Sequence, residues 1–381
     1  MRRKIMLVAG EASGDALGAP LMQALRNQSD DEIEFSGVGG PLMTGQGLKS
    51  LFPMSDLAVM GIAEILPRLR LILRRLKEAE ELARDTSPDV LVTIDSPGFT
   101  FRLGKKLKGA GFPVVHYVAP TVWAWKPKRA KKIAQFLDHL LVLLPFEPPW
   151  FEREGLACTF VGHSAVSHDK GDGRAFRGRH GIADDAPVLG LLPGSRQGEV
   201  TRLLPVFMET AHQLSGQIEG LKLVVPAVDH VAGLIHSCFE AAGLDVVIVG
   251  SDEKSDALAA MTGALAASGT VTLELTLAGV PTIAAYRMNP LTMMIVKRMA
   301  SVSSVSLTNL ILEQDIIPEY LQEDCTAANL APAVADILTD SDIRKKQLEA
   351  SDLVAKALGA GGRPPAERAA EAILKIIGER A

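Results

Sequence analysis

Short apolar runs recur along the chain, separated by segments with the periodicity of amphipathic helices. Most of the runs are continuously apolar rather than alternating, which is typical of parallel strands covered on both faces. The pattern therefore predicts an α/β protein with parallel sheets. The strands predicted in the first half are residues 5–9, 33–38, 90–94, 114–118, 140–144 and 159–161. Those predicted in the second half are residues 188–192, 221–225, 246–249, 264–267 and 282–285.

The two series of strands are separated by a polar, glycine-rich stretch, residues 167–181, which is the best candidate for a linker. A long surface loop inside one domain would have the same composition. We predict two Rossmann-like domains with a cleft between them, over residues 1–166 and 167–355. Residues 356–381 contain a glycine-rich break and a final helix. Packing of this helix back on the first domain is left open.

The composition of the 381-residue chain fits two globular domains, with 47% hydrophobic and 22% charged residues. A net charge of −5 does not indicate a nucleic-acid partner. The three cysteines have no metal-ligand spacing, which fits a reduced, cytoplasmic compartment. The first apolar run is too short for a signal peptide, and no run is long enough to span a membrane. We therefore expect a soluble or at most peripheral protein.

The segment from Gly10 to Asp15 is a glycine-rich turn between the first predicted strand and a helical pattern. A loop in this place of a βα unit commonly binds a ligand. Its two carboxylates, Glu11 and Asp15, would repel a phosphate, and we expect them at the positive end of the following helix. We therefore interpret the loop as an active-site element that faces Asp95, not as a phosphate-binding loop.

Asp95 directly follows the predicted strand over residues 90–94. A carboxylate at the C-terminal edge of a parallel sheet is placed to act as a general base towards a hydroxyl. A helix cap or a salt bridge in a loop is the alternative explanation. The position alone does not decide between them.

An anion site is predicted in the second half, where Ser268, Gly269 and Thr270 follow a strand and open a helix. The N–H groups of a helix N-terminus attract phosphate, and Glu274, one turn later, is placed to accept hydrogen bonds from a ribose. Arg196, after another strand, carries a guanidinium suited to bidentate phosphate contact. Each loop alone resembles an ordinary βα turn. Together they predict a site for a nucleotide diphosphate.

No cofactor or metal is predicted. The chain contains neither a GxxxxGK[ST] nor a GxGxxG motif. Asp340-Ser341-Asp342 has the spacing of a metal-binding motif found in some sugar transferases, but it directly precedes a helical pattern, where Asp and Ser are common caps. We therefore interpret it as a helix start.

Two segments have the pattern of lipid contact. Residues 57–77 combine apolar and basic positions, as in a helix at a membrane interface, and a basic cluster over residues 126–132 follows two tryptophans. An amphipathic core helix and a solvated basic face are the alternatives, and the tryptophans could equally cover a helix. The predicted membrane or acyl contacts are Val59, Met60, Ile62, Ile65, Leu69, Arg70, Leu73, Arg74, Trp123 and Trp125.

Short segments spread over about residues 4–325 match one family together and in order. They are Val8-Ala9-Gly10-Glu11-Ala12-Ser13-Gly14-Asp15, Ala58-Val59-Met60-Gly61, Ile94-Asp95-Ser96-Pro97, His116-Tyr117-Val118, Val122-Trp123-Ala124-Trp125, Leu144-Pro145-Phe146-Glu147, Phe160-Val161-Gly162-His163, Leu192-Pro193-Gly194-Ser195-Arg196, Ala267-Ser268-Gly269-Thr270, Tyr286-Arg287-Met288 and Val305-Ser306-Leu307. With these segments the chain resembles the lipid-A-disaccharide synthases, glycosyltransferases of bacterial lipid A assembly.

The resemblance implies a GT-B fold, with the nucleotide in the C-terminal domain and the acceptor in the N-terminal domain. It implies an inverting transfer of 2,3-diacylglucosamine from its UDP derivative to the 6-hydroxyl of 2,3-diacylglucosamine 1-phosphate, which gives a β-1,6-linked disaccharide and UDP. The enzyme would be peripheral, on an anionic membrane surface at the inner face of the inner membrane. A homodimer is left open.

The resemblance also implies roles for single residues. Asp95 corresponds to the base, and Glu11 and Ser13 to residues that support the active site. The implied UDP-binding residues are Arg196, Ser268, Gly269, Thr270, Glu274 and Asn309. Some family members have a second acidic residue and an Asn where this chain has Gly98 and Thr100. This departure argues against any mechanism that requires a carboxylate at position 98.

Two other classes of protein are alternatives. Another UDP-sugar enzyme of the same fold, an epimerase or a different transferase, would share the arrangement of residues 268–274 but would not need the lipid-contact segments. A two-domain sugar-binding protein would not need a base at Asp95.

Overall fold

The computed structural model describes residues 2–57, 62–124, 127–167, 170–288 and 304–379, and it excludes the side chains of residues 62–67. The chain divides into two compact units. Unit 1 comprises Met1–Ser164 together with Leu358–Ala381, and unit 2 comprises Ala165–Ala357. Each unit is built on its own parallel sheet, which confirms the predicted α/β fold class.

The strands and helices alternate along most of the chain. The strands are β1 (Arg2–Ala9), β2 (Glu32–Val38), β3 (Lys49–Ser50), β4 (Val90–Ile94), β5 (Val114–Tyr117), β6 (His139–Val142), β7 (Ala157–Phe160), β8 (Val188–Leu192), β9 (Lys222–Pro226), β10 (Val247–Val249), β11 (Gly263–Ala267), β12 (Thr282–Tyr286) and β13 (Glu319–Leu321). The helices of the described residues are α1 (Ala12–Gln28), α2 (Pro41–Gly45), α3 (Ile62–Thr86), α4 (Pro97–Leu107), α5 (Arg129–Ala134), α6 (Pro148–Glu152), α7 (Gly173–Arg179), α8 (Gln197–Ser215), α9 (Asp229–Ala242), α10 (Lys254–Ala260), α11 (Thr270–Leu277), α12 (Leu307–Leu312), α13 (Ala327–Leu338), α14 (Asp342–Ala357) and α15 (Pro365–Gly378).

The unit 1 sheet has seven strands in the order β3-β2-β1-β4-β5-β6-β7, and all neighbours run parallel. Successive side chains of a strand point to opposite faces. On β1, Met6 and Val8 belong to one apolar core, whereas Ile5, Leu7 and Ala9 belong to another. Because both faces are buried, the strand reads as a continuous apolar run.

The last helix, α15, packs against α1 in unit 1. Ala369, Ala370, Ile373 and Ile377 lie on one face of α15 and share a buried core with Met22 of α1. The end of the chain therefore completes the unit that contains its beginning.

The unit 2 sheet has six parallel strands in the order β10-β9-β8-β11-β12-β13. Its central strand β11 shows the same two-sided burial, with Leu265 and Ala267 in one core and Ala264 and Ala266 in the other. A parallel sheet places the C-terminal ends of its strands along one edge. Loops that are far apart in sequence therefore meet there.

The apolar pattern does not predict two edge strands, β3 and β13. Strand β3 has only two residues, and β13 is half-buried along its length. An edge strand is bonded on one side only, so a short segment of mixed polarity can occupy it. Within the described part of the chain, no helix has the length and apolar character needed to cross a membrane.

Candidate active site

Asp95 lies at the C-terminal edge of the unit 1 sheet, directly after β4. Ile94, which precedes it, pairs with Ala9 of β1, so the loops after these two strands meet. Ser13 Oγ, in the first turn of α1, donates a hydrogen bond to Asp95 Oδ2 over 2.8 Å. The backbone N–H of Ser96 donates to Asp95 Oδ1, also over 2.8 Å. The carboxylate is therefore held through both oxygens, and Asp95 remains partly exposed.

The backbone at this turn is unusual. Asp95 (φ 51°) and Ser96 (φ 47°) are both in the left-handed region, which costs roughly 1–3 kcal/mol at a residue with a side chain. The N–H of Asp95 donates to the carbonyl oxygen of Tyr117 (2.9 Å), and Thr100 Oγ1 donates to the carbonyl oxygens of Asp95 (2.8 Å) and Ser96 (2.9 Å). Thr100 therefore stabilises the turn, whereas Gly98, the other departure from the matched motif, is exposed with open space around it.

The loop after β1 passes very close to the Asp95 turn. A Cβ atom at Gly10 would lie 2.5 Å from Ser96 Oγ, which is closer than non-bonded atoms approach. At Gly14, a Cβ atom would lie 3.2 Å from the carbonyl oxygen of Ile94. These two glycines therefore allow the close packing of the loop on β4 and the Asp95 turn.

Glu11 supplies a second carboxyl group near Asp95. It is exposed at the N-cap position of α1, and its side chain makes no capping hydrogen bond. Partial desolvation and, to a lesser extent, the charge of Asp95 raise the pKa of Glu11, although a hydrogen bond with Ser96 opposes the rise. Glu11 therefore keeps its proton to a higher pH than an isolated Glu.

Asp15 lies in the first turn of α1, as expected, but its carboxylate accepts hydrogen bonds at the start of another helix, α2. It is buried and accepts hydrogen bonds from the backbone N–H groups of Gly40 (2.9 Å), Leu42 (2.9 Å) and Met43 (3.0 Å), at the start of α2. Asp15 therefore fixes the loop between β2 and α2 and does not share the site of Asp95.

Trp123 does not offer the predicted lipid contact, because it is only 6% exposed. Its indole N–H donates to Glu147 Oε1 (3.2 Å), and its ring meets that of Phe146 edge-on, with the centroids 5.2 Å apart. Glu147 Oε2 accepts the N–H groups of Leu143 (3.2 Å) and Leu144 (3.0 Å). Burial raises the pKa of Glu147 to about 7. This network joins the loops after β5 and β6.

Helix α3 exposes part of the predicted lipid-contact segment. Leu69 is 37% exposed and Leu73, one turn later, is 49% exposed, with Arg70 exposed beside them and Arg74 74% exposed. Further along the helix, Leu76, Ala79 and Ala83 are buried in the unit 1 core. The predictions for Val59, Met60, Trp125 and the side chains of Ile62 and Ile65 lie outside the described residues.

Unit 2 contains a cavity of about 350 Å³ at the C-terminal ends of its strands. Its walls come from the turns after β8, β9, β10 and β11, and its volume is in the range of small-ligand sites. Five of the six residues predicted to bind a nucleotide line this cavity. They are Arg196, Ser268, Gly269, Thr270 and Glu274.

The passage from β11 into α11 supplies donors to the cavity. Ser268 Oγ is buried and has no hydrogen-bond partner among the described residues. Helix α11 begins at Thr270, and the first turn of a helix leaves backbone N–H groups without an intrahelical partner. Thr270 and Val271 of this turn line the cavity. The arrangement suits an anionic ligand.

The four charged residues of the cavity form two ion pairs. Arg196 Nη1 lies 3.0 Å from Glu199 Oε1, and the Arg196 side chain is 77% exposed. Lys254 Nζ donates to Glu274 Oε2. Glu199 and Lys254 are not predicted as site residues from the sequence. Both follow shortly after a predicted strand. Many residues with a purely structural role share this position, so it does not identify a site residue.

Asn309, the sixth predicted nucleotide-binding residue, is not among the residues that line this cavity. It is buried, and its Oδ1 accepts the N–H groups of Ile316 (3.0 Å) and Ile317 (2.8 Å). Its Nδ2 donates to the carbonyl oxygen of Ile317 (2.9 Å) and to Glu319 Oε1 (3.3 Å). The amide therefore holds the loop after α12 and is fully engaged within unit 2.

The motif Asp340-Ser341-Asp342 starts a helix. Ser341 Oγ accepts the N–H of Arg344 (3.1 Å), and α14 begins at Asp342. Asp340 lies 3.2 Å from Lys345 in an exposed ion pair. Among the residues that the structure describes, no group of three or more His, Cys, Asp or Glu is placed to hold a metal ion.

Two solved structures are similar in fold to this chain over its full length. The UDP-GlcNAc 2-epimerase from Neisseria meningitidis, solved with bound UDP-GlcNAc, has a TM-score of 0.62 at 10% identity, and 100% of both chains is covered. The calicheamicin glycosyltransferase CalG4 has a TM-score of 0.60 at 18% identity, also with 100% of both chains covered. At these identities the likeness concerns the fold alone. The chain has the GT-B fold of such glycosyltransferases and epimerases.

Sequence comparison narrows this class to one family. The model of the lipid-A-disaccharide synthetase family matches residues 5–374. The lipid-A-disaccharide synthase of Rhodospirillum centenum is 51% identical, with 99% of this chain and 95% of the relative covered. That of Paramagnetospirillum magneticum is 45% identical, with 98% and 97% covered. The chain belongs to the lipid-A-disaccharide synthase family and is a glycosyltransferase of lipid A biosynthesis.

Proposed function

We propose that this glycosyltransferase moves 2,3-diacylglucosamine from UDP-2,3-diacylglucosamine to the 6-hydroxyl of 2,3-diacylglucosamine 1-phosphate. The products are the β-1,6-linked disaccharide 1-phosphate and UDP. Family membership supports the class of reaction. The observation that carries the proposal is the carboxylate of Asp95, which Ser13 and Ser96 hold through both oxygens at the edge of the unit 1 sheet.

Asp95 acts as the general base in this mechanism. It accepts the proton of the acceptor hydroxyl while the oxygen attacks the anomeric carbon, and UDP leaves from the opposite face with inversion. Ser13 fixes the orientation of the carboxylate, which matters because a small displacement of a catalytic group slows the reaction strongly. Glu11 supports the site as a second carboxyl group, whose pKa is raised by partial desolvation and by the charge of Asp95.

UDP occupies the cavity of unit 2. Its diphosphate lies at Ser268, Gly269 and Thr270 with Arg196 as counter-charge, and its ribose hydroxyls donate to Glu274. The groups that contact the diphosphate stabilise the negative charge that grows on UDP as it leaves. They therefore favour the transition state over the ground state. The binding of UDP-GlcNAc by the Neisseria enzyme, which has the same fold, supports this ligand class. Asn309 remains a predicted UDP-binding residue, and its amide also holds the loop after α12.

The enzyme works as a peripheral protein at the inner face of the inner membrane. Its lipid-linked substrates favour this position. So do the exposed Leu69 and Leu73, which lie beside Arg70 and Arg74 on α3, because acyl chains and anionic headgroups attract such a surface. Assembly into a homodimer is a separate prediction, which sedimentation equilibrium would test.

The test of the proposed reaction is an assay with synthetic substrates of defined acyl chains. We expect release of UDP and formation of the disaccharide only when the UDP-linked donor and the 1-phosphate acceptor are both present. Absence of any product with the lipid acceptor would overturn the proposal. A UDP-sugar epimerase, the second candidate, is favoured only by the fold of the solved neighbours, and it would change the donor sugar without an acceptor.

A further inference from the structure

Lys254 is the first residue of α10, after the edge strand β10 of unit 2. Its Nζ donates to Glu274 Oε2, and both side chains line the cavity. The side chains are 39% and 28% exposed, so the pair lies at the cavity wall and not in open solvent. Within the described residues, Glu274 Oε1 accepts no hydrogen bond and remains available.

We propose that Lys254 is a positioning residue of the nucleotide site, which holds Glu274 Oε2 so that Oε1 meets the ribose hydroxyls of UDP. This inference rests on the proposed function, because it takes UDP as the ligand. A glutamate side chain without a partner samples several rotamers, and fixing it on binding costs entropy. The ion pair fixes the carboxylate before the ligand arrives. A hydroxyl that donates to this charged acceptor makes a strong hydrogen bond.

Lys254 also balances charge in the cavity, and this effect must be separated from positioning. Arg196 is paired with Glu199, so loss of Lys254 would leave the charge of Glu274 uncompensated near a diphosphate. Repulsion of this kind weakens every uridine diphosphate to the same extent. Positioning of Glu274, in contrast, affects only ligands with the ribose hydroxyls. The ratio of affinities for UDP and its deoxy analogues therefore isolates positioning.

The experiment is calorimetric titration of the full-length protein with UDP, 2′-deoxy-UDP and 3′-deoxy-UDP at constant ionic strength. We expect the wild type to prefer UDP over at least one deoxy analogue by about tenfold. Lys254→Met, which keeps the length and removes the charge, should reduce this preference to about twofold, whereas Lys254→Arg should keep most of it. Lys222→Met is the matched control. It removes a lysine of the same unit that lies 3.4 Å from Asp245, and it should keep the full preference.

Each outcome decides between distinct conclusions. Equal weakening of all three nucleotides in Lys254→Met would overturn the proposal and leave charge balance as the role of Lys254. A wild type that binds UDP without preferring it to either analogue would also overturn it, because Glu274 would then accept no ribose hydroxyl. A wild type that does not bind UDP would contradict the proposed function itself. If thermal unfolding shows that Lys254→Met is misfolded, Lys254→Gln takes its place.

Discussion

Asp95 in unit 1 and Arg196 in unit 2 both follow the C-terminal end of a parallel strand, yet they are held in different ways. Asp95 lies in a left-handed turn that Thr100 stabilises, and its carboxylate is bonded on both oxygens. Arg196 is 77% exposed and, among the described residues, forms one ion pair, with Glu199. A fixed carboxylate suits proton transfer, which depends on geometry. An exposed guanidinium with a single partner can exchange that partner for a ligand.

Two buried polar groups show the same contrast. Glu147, in unit 1, accepts three hydrogen bonds, from the indole of Trp123 and the N–H groups of Leu143 and Leu144. Ser268 Oγ, in unit 2, is buried without any partner among the described residues. An unmade hydrogen bond of this kind costs about 1–3 kcal/mol. A bound ligand that accepts from Ser268 would recover that cost. The Glu147 carboxyl group is therefore satisfied within the protein, whereas the Ser268 hydroxyl is an unused donor at the unit 2 cavity.

The largest expected effect concerns the fixed carboxylate of Asp95. Asp95→Asn keeps the shape of the side chain but removes its basicity, so we expect kcat to fall about 10²–10⁴-fold. The affinity for UDP should not change, because the cavity belongs to unit 2. Steady-state kinetics with the lipid acceptor and calorimetry with UDP measure the two quantities.

Asp138→Asn is the matched control for this substitution. Asp138 accepts the N–H of Val114 (2.8 Å) at the opposite end of the same sheet, and kcat should be retained. Normal turnover by the Asp95→Asn variant would place the base elsewhere.

The second prediction concerns the buried Glu147. Its pKa is about 7 in the folded protein because of burial, against an ordinary value of 4.5. Between these values Glu147 binds more protons in the folded state than in the unfolded state, so its contribution to the free energy of unfolding falls as pH rises through this window and is constant above it. The total contribution of Glu147 to this fall is about 3 kcal/mol.

Glu147→Gln removes this titration. The advantage of the wild type over the variant should therefore shrink by about 3 kcal/mol between pH 4.5 and pH 7, as measured by urea unfolding at a series of pH values. Glu152→Gln, at an exposed carboxyl of the adjacent helix α6, is the matched control. A difference that is the same at every pH would contradict the buried, titrating carboxyl.

The third prediction compares exposed leucines on two helices, α3 in unit 1 and α14 in unit 2. Replacement of Leu69 and Leu73 by Glu should weaken binding to vesicles that contain anionic lipid by about tenfold or more, because each leucine contributes roughly 1 kcal/mol when it enters the interface. Vesicle sedimentation measures the effect. Leu353→Glu, at a leucine of α14 that is 54% exposed, is the control and should not alter binding. Equal loss in the control would argue against a lipid-binding face on α3.

Features that depend on neighbouring residues can be predicted from the sequence, whereas contacts that depend on the strand order cannot. Strands β4 and β11 are predictable because both of their faces are buried, whereas β3 and β13 have no such pattern. Ser268 and Glu274 are predictable as neighbours because one loop and one helical turn connect them. The contact of Lys254 with Glu274 depends on the strand order β10-β9-β8-β11, which no local pattern contains. The burial of Trp123 likewise depends on Glu147, which lies on another loop.

The smallest expected effect concerns the buried hydroxyl of Ser268 at the unit 2 cavity. Ser268→Ala removes a buried hydroxyl that has no partner in the described part of the chain, so the stability of unit 2 should stay the same or rise slightly. If the hydroxyl donates to the diphosphate, the affinity for UDP should fall about threefold to tenfold. Ser215→Ala is the control with the opposite signature. Its hydroxyl already donates to the carbonyl oxygen of Ala211 (2.9 Å), so its loss should lower stability slightly and leave UDP binding unchanged. Calorimetry and urea unfolding of both variants distinguish the two. If Ser268→Ala lowers stability and keeps the full affinity for UDP, its hydroxyl is structural, and the contrast with Glu147 fails.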